Sequence, residues 1–394
     1  MKKLRLLNKL FNKRKDNDAV DSKTNESVDS TVKKEGYYDS QWSLIWKKLK
    51  RHKLARFSLF LLVLFYIGII FADFIAPQGL QEYKSDYANA PPMNIHFFDT
   101  EGNFHLRPFV YGIESTRHPD TFRKIFVEDR TVMYPIQFFV EGREYKFLGL
   151  FPTNKHLFGV EEPGKYFVLG TDGMGRDLFS RIVVGSRVSL SIPLAGVAIS
   201  LIIGLILGGI SGYFGGWIDA IIQRIIEIFR SFPTLPLWMA LSAAIPAGID
   251  VVMMYLYIVI IISFIEWTDL ARVVRGQFMS LKNEEYVLAA RIAGVSTPKI
   301  ISKHLVPGIV SYLIVSITLA IPGMILAETA MSFLGLGIRS PATSWGVLLQ
   351  EAQQIDNVAL YPWKLIPLLF VVFAVLCFNF FGDGLRDAAD PYKS

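Results

Sequence analysis

Six stretches of this chain stay apolar for about the thickness of a bilayer, at residues 54–76, 187–212, 232–249, 251–268, 306–334 and 363–382. Roughly 30 Å of hydrocarbon takes about 20 residues of helix at about 1.5 Å each. Backbone polar groups cannot go unpaired in that layer, so each run is expected to be a helix. The third run is interrupted by Pro233 and Pro236, and the amphipathic lead-in from Ile218 is expected to complete it. With 52% hydrophobic residues gathered in blocks and a mean hydropathy of +0.35, a water-soluble domain could not hide its apolar surface. The single cysteine, Cys377, lies in the last run, so no disulfide can form within the chain.

Charge orients the runs. Residues 1–56 carry about sixteen Lys and Arg, six of them between Lys47 and Arg56, which places this end in the cytoplasm by the positive-inside rule. Six crossings return the C-terminus to the same side. The short segments 247–250 and 335–361 then lie outside with Arg339 as their one arginine, and 266–304 lies inside with six Lys and Arg. The net charge of +6 therefore belongs to membrane ends and lipid contacts, with no case for nucleic acid. Residues 1–40, rich in Asp, Ser, Thr, Asn and Lys, are expected to be a disordered cytoplasmic tail, which makes the sequon at Asn25 irrelevant. The first run is too long, and follows too long a polar tail, for a cleavable signal peptide.

Between the fourth and fifth runs lies EEYVLAARIAGVSTPKIISKHLVP, Glu284 to Pro307. It reads as a polar helix, a glycine turn and a second short helix on the cytoplasmic side. Gly294 suits the left-handed residue that ends a helix, Pro298 the first turn of the next, and Pro307 the return into the membrane. Ala289 and Ala290 are small enough for another surface to approach. A protein driven by a soluble partner needs such a rigid plug; a surface hairpin between two spans is the plainer alternative.

Residues 78–168 form an extracytoplasmic insertion after the first span, where short aromatic runs alternate with turn residues. Glu141–Glu144 reads as a hairpin turn between two aromatic strands. The insertion is either a lid or docking surface for a binding protein or an ornament on the bundle. Its histidines at 96, 105, 118 and 156 are scattered without metal-ligand spacing.

The segment 284–307 resembles the coupling loop of ATP-binding-cassette importer permeases, departing at Leu288 (usually glutamate) and Val306 (usually leucine). Further stretches resemble the dipeptide/oligopeptide branch: GTDGMGRD at 170–177, SGYFGGWID at 211–219, AETAMSFLGLG at 327–337, SWGVLLQEA at 344–352 and NFFGDGLRDAADP at 379–391. The resemblance runs from residue 42 to the end, with the insertion outside its well-patterned part, and nickel permeases share much of it. It implies an all-α polytopic membrane protein with six transmembrane helices, a cytoplasmic coupling helix at about 284–298 and a β-rich extracytoplasmic insertion. The expected layout is a tail (1–40), a juxtamembrane segment with the first span (41–77), the insertion (78–168) and the permease domain (169–394). Implied partners are a second homologous permease subunit, two ATPase subunits that hydrolyse ATP, an extracytoplasmic peptide-binding protein, the peptide itself and membrane lipid. Glu285, Tyr286, Ala289, Ala290, Gly294 and Pro307 are the implied coupling residues.

Other polar positions keep two readings each. Glu328, after a long apolar run, lines the pathway or bonds a neighbouring helix. Arg224, Glu227 and Arg230 pair along one helical face or gate the cytoplasmic side. Asn379, Asp383, Arg386 and Asp387 cap the last span and pair across helices. Gly204, Gly208 and Gly212 allow close helix approach, within the bundle or to a partner. Asp177 caps or pairs at the entrance of an amphipathic interfacial helix carrying Arg176 and Arg181. GTDGMG lacks the spacing of a phosphate loop, and no HExxH, GxSxG or Walker motif occurs, so no catalytic set, cofactor or metal site is expected. The competing functions are a transporter or channel working without ATP, which calls for charged sites in the spans, and a membrane sensor, which calls for a signalling domain.

Overall fold

The computed structural model describes residues 41–390 apart from 118, 121, 247, 340 and 341, so the tail expected to be disordered and His118 lie outside the described residues. Helix α1 (Gln41–Arg51) belongs to a separate unit ending at Arg51; it gathers Lys48, Lys50 and Arg51 in its last turn, where the helix dipole favours cations.

From His52 onward the chain is one unit. Helix α2 (Lys53–Ile70) starts where the His52 ring accepts the Ala55 N–H at 3.1 Å, and a short α3 (Ala72–Ile75) leads out of it. After the insertion come α4 (Leu178–Phe214), α5 (Gly216–Ser231), α6 (Thr234–Ala243), α7 (Val251–Leu281), α8 (Glu285–Ile292) and α9 (Thr297–Ile300). A π turn, Ile301–Leu305, joins α9 to α10 (Val306–Phe333); α11 (Trp345–Ala352), α12 (Ile355–Leu360) and α13 (Ile366–Ala389) follow.

Among the described residues five helical runs are long and apolar enough to cross a membrane: Lys53–Ile70, Leu178–Phe214, Val251–Leu281, Thr297–Phe333 and Pro362–Ala389. The third expected span does not form as one helix. Phe232, standing before Pro233, is pushed into extended backbone, and the 10 residues of α6 beyond it span only about 15 Å.

Two spans outrun their apolar stretches. Helix α7 continues past Glu266 to Leu281 because Trp267, Ala271, Val274 and Phe278 keep one buried stripe at helical spacing. Helix α4 begins at Leu178, so the separate interfacial helix expected there is its first turns, with Ile182, Gly185 and Ser186 buried. Against α7 it presents Gly204, Gly208 and Gly212: a Cβ at Gly212 would come 2.6 Å from the Arg275 carbonyl oxygen, and one at Gly208 would run into that of Ala271. The small-residue face therefore serves this bundle. Arg275 makes a bidentate pair with Asp219 of α5 at 2.6 Å, and Asp219 also accepts from the Ser211 hydroxyl of α4.

In the insertion, β1 (His96–Phe98), β2 (Phe104–Arg117) and β3 (Lys124–Pro135) form an antiparallel sheet, and β4 (Gln137–Phe147) and β5 (Phe151–Gly159) a second. The expected hairpin turn at Glu141–Glu144 lies inside β4 as a register shift. The chain reverses at Leu148 and Gly149, both with positive φ. Its base is fastened to the spans: Asp73 pairs with Arg143 at 3.6 Å and Arg187 at 2.7 Å, and His156 faces the carbonyls of Asp73 and Arg143 at 3.1 Å each. Burial holds the His156 ring below the usual histidine range, which favours the neutral form.

Candidate functional site

The loop between α7 and α10 is a rigid platform. Val287 and Ala290 on α8 turn inward against Val274, Phe278, Ile300 and Leu305, while Val295 and Ile301 close the cluster. The C-terminus is locked by two bonds: the Val295 N–H to the Ala290 carbonyl and the Gly294 N–H to that of Arg291, both 3.1 Å. That pairing requires a left-handed residue, and Gly294 has φ +75°. Arg291 lies over the Tyr213 ring at 5.6 Å, tying the platform to the end of α4.

What remains faces outward. Glu285, Leu288, Ala289 and Ile292 follow the i, i+3, i+4, i+7 spacing of one helix face, all exposed, with Ile292 at 88%. Tyr286 is also exposed, its ring 6.3 Å from that of His304. The two alanines paired by the sequence reading thus separate, Ala289 outward and Ala290 inward. Pro307 occupies the first turn of α10, but the helical run starts ten residues earlier at Thr297. Lacking an N–H, Pro307 cannot extend the regular ladder, and the π turn directly before it absorbs the mismatch.

Glu328 lies far from this platform. It is fully buried, accepting hydrogen bonds from Ser189 (3.2 Å) and Ser332 (2.8 Å), and Ser189 in turn accepts the Trp345 N–H at 3.0 Å. One carboxyl thereby joins α10, α4 and the start of α11. Helices α4, α7 and α10 also enclose a cavity of about 420 Å³ whose lining includes Glu266 and Asp269 but not Glu328. Arg224 pairs with Glu227 at 3.1 Å on the surface, whereas Arg230 pairs instead with Asp269 of α7.

A second charged group, with Asp172, Arg176 and Arg181 buried and Glu351 at its exposed edge, is not apparent in the sequence. Asp172 accepts from Arg176 at 2.6 Å and Arg181 at 2.5 Å, and Glu351 on α11 accepts from the same two guanidinium groups at 2.6–3.2 Å. The spacing of Asp172 and Arg176 hints at a pair, but Glu351 is remote in sequence. The usable signal is charge placed among apolar residues. Beside this group Asp177 caps α4, accepting the Ser180 N–H at 2.8 Å. Its other oxygen has no partner among the described residues, and burial pushes its carboxyl up to about 6.

Residues 200–393 match the family described as the inner membrane component of binding-protein-dependent transport systems, and residues 40–92 the N-terminal transmembrane domain of oligopeptide transport permease C. The oligopeptide transport system permease protein OppC of Escherichia coli (strain K12) is 44% identical over 231 residues, 58% of this chain and 73% of that protein. The dipeptide transport system permease protein DppC of Lactococcus lactis subsp. cremoris is 34% identical over 350 residues, 89% of this chain and 90% of its own length. OppC of Bacillus subtilis is 38% identical over 242 residues, 61% and 77% of the two chains.

Proposed function

This chain belongs to the binding-protein-dependent transport permeases of the oligopeptide and dipeptide type, and from that premise we propose that it is one transmembrane subunit of an importer carrying peptides across the cytoplasmic membrane. The observation that carries the reading is the match to a dipeptide permease along nearly the whole of both chains. ATP is hydrolysed on two separate subunits, and a second permease of the same kind completes the pathway. An extracytoplasmic binding protein delivers the peptide.

The exposed stripe of Glu285, Leu288, Ala289 and Ile292 supports α8 as the element that docks on an ATPase, with Gly294 setting its angle. Val287 and Ala290 anchor it to the spans, so a push on α8 is transmitted to α7 and α10. Counting α5 and α6 together as one broken crossing gives six spans, with both termini in the cytoplasm and the insertion outside. Exposed aromatics on that insertion, among them Phe104, Phe138, Phe139 and Phe151, suit a docking surface for the binding protein. Glu328 acts as a helix-bonding residue, which its three-helix hydrogen-bond set supports.

Uptake of labelled trialanine by cells deprived of this chain, in a strain without other peptide importers, tests the reading. Uptake is lost on deletion and restored by the intact chain; undiminished uptake without it overturns the assignment.

A further inference from the structure

We infer that the cavity beside Arg176 and Arg181 is a carboxylate-binding site. Its volume is about 290 Å³, and its polar lining is Arg176, Arg181, Arg339, Thr343, Gln350 and Glu351. Three arginines face one glutamate, with Asp172 behind offsetting a second charge and the Lys364 ammonium acting on both carboxylates, so the surroundings are net positive. A cationic ligand is disfavoured there and an anion favoured.

The donors fall into two sets. Arg176 and Arg181 are engaged by Asp172 and Glu351 and form a fixed floor. Arg339 is exposed and in no ion pair or hydrogen bond among the described residues. Gln350, half-buried, brings a side-chain amide to the same lining. An unpaired planar guanidinium and the Gln350 amide around one cavity match a carboxylate, whose two oxygens accept several donors and suit the arginine fork. The volume holds that group and the residue or two attached to it.

The inference rests on the peptide-permease reading, which supplies two sources of this chemistry: the C-terminal carboxylate of a peptide, or an acidic side chain of the binding protein. Ala342 lines the cavity, is half-buried and is not a donor, so Ala342→Cys in a Cys377→Ser background gives a reporter. In right-side-out vesicles holding the full assembly, its labelling by an impermeant maleimide is followed with dialanine, with dialanine amide and with peptide-free binding protein. Dialanine is expected to slow labelling about tenfold or more and the amide not to; Arg339→Gln raises the half-protecting concentration about ten- to a hundredfold, the worth of a hydrogen bond to a charged group. Protection by the binding protein alone, removed by Arg339→Gln, assigns the carboxylate to that protein. Equal protection by dialanine and its amide, or none by any of the three, overturns the site. Should Ala342→Cys fail to insert, the thermal shift of the purified wild-type chain with dialanine against its amide makes the same discrimination. Lost trialanine uptake on deletion without protection sinks the site alone; protection with undiminished uptake sinks the transport reading and leaves the site.

Discussion

Around α11 four charged groups, Asp172, Arg176, Arg181 and Glu351, are drawn onto one another, whereas on α8 Leu288, Ala289 and Ile292 stand in the open. The first region hides charge and the second shows apolar surface, each the reverse of what is cheapest in a lone chain. The charged group is nonetheless complete, since each guanidinium meets two carboxylates within the same chain. The α8 face is incomplete: its inner side packs on the spans and its outer side has nothing to cover it. Self-sufficiency in one region and an uncovered apolar face in the other suit the proposed role of a subunit docked on an ATPase.

That contrast breaks most sharply at Asp172. Asp172→Ala strips Arg176 and Arg181 of a shared carboxylate in a buried setting and is expected to cost about 3–5 kcal/mol. Thermal inactivation of the purified chain in detergent measures it, and an unchanged midpoint would mean Glu351 alone satisfies both arginines.

The adjoining Asp177 gives a pH dependence. Its carboxyl is raised to about 6 in the folded chain against 3.8 unfolded, so the folded state holds the proton more tightly. The penalty is full above about pH 6, on the order of 2–3 kcal/mol, and disappears as pH falls toward 4. Asp177→Asn keeps the cap without the charge. Its midpoint should exceed the wild type at pH 7.5, with the gap about halved at pH 5 and closing toward pH 4; a constant gap contradicts the burial argument.

Smaller effects separate packed glycines from idle ones. Gly208→Val drives its new atoms into the Ala271 backbone and should cost about 1–3 kcal/mol. Gly323→Ala meets nothing within 4 Å and should gain about 0.5–1 kcal/mol. Equal midpoints for the two variants would remove α4–α7 packing from the account.

How much of this was legible follows from the range of each interaction. The α8 terminus could be read because Gly294 and Pro298 act on their own neighbours. The glycine face could be read as a face, though its partner α7 could not, since spacing fixes which residues align and not what they meet. The break at Phe232–Pro233 was visible as prolines, but its effect on span length was underweighted. The turn lies at Leu148–Gly149 and not at Glu141–Glu144, where the sequence points, because a glycine inside a strand and one in a turn look alike without the register. Bonds between Glu351 and Arg181, or Glu328 and Ser189, depend on tertiary structure and left almost no local trace.

The central claim is that the open face of α8 is covered by an ATPase subunit, and Ala289→Arg tests it most directly. Ala289 is exposed and outside the inner cluster, so the variant should insert and keep the wild-type midpoint. Purified from its native membrane through a tag on this chain, the wild type should bring the ATPase subunits with it and the variant should lose them together with trialanine uptake. An ATPase that co-purifies with the variant as fully as with the wild type, with uptake intact, would contradict the account.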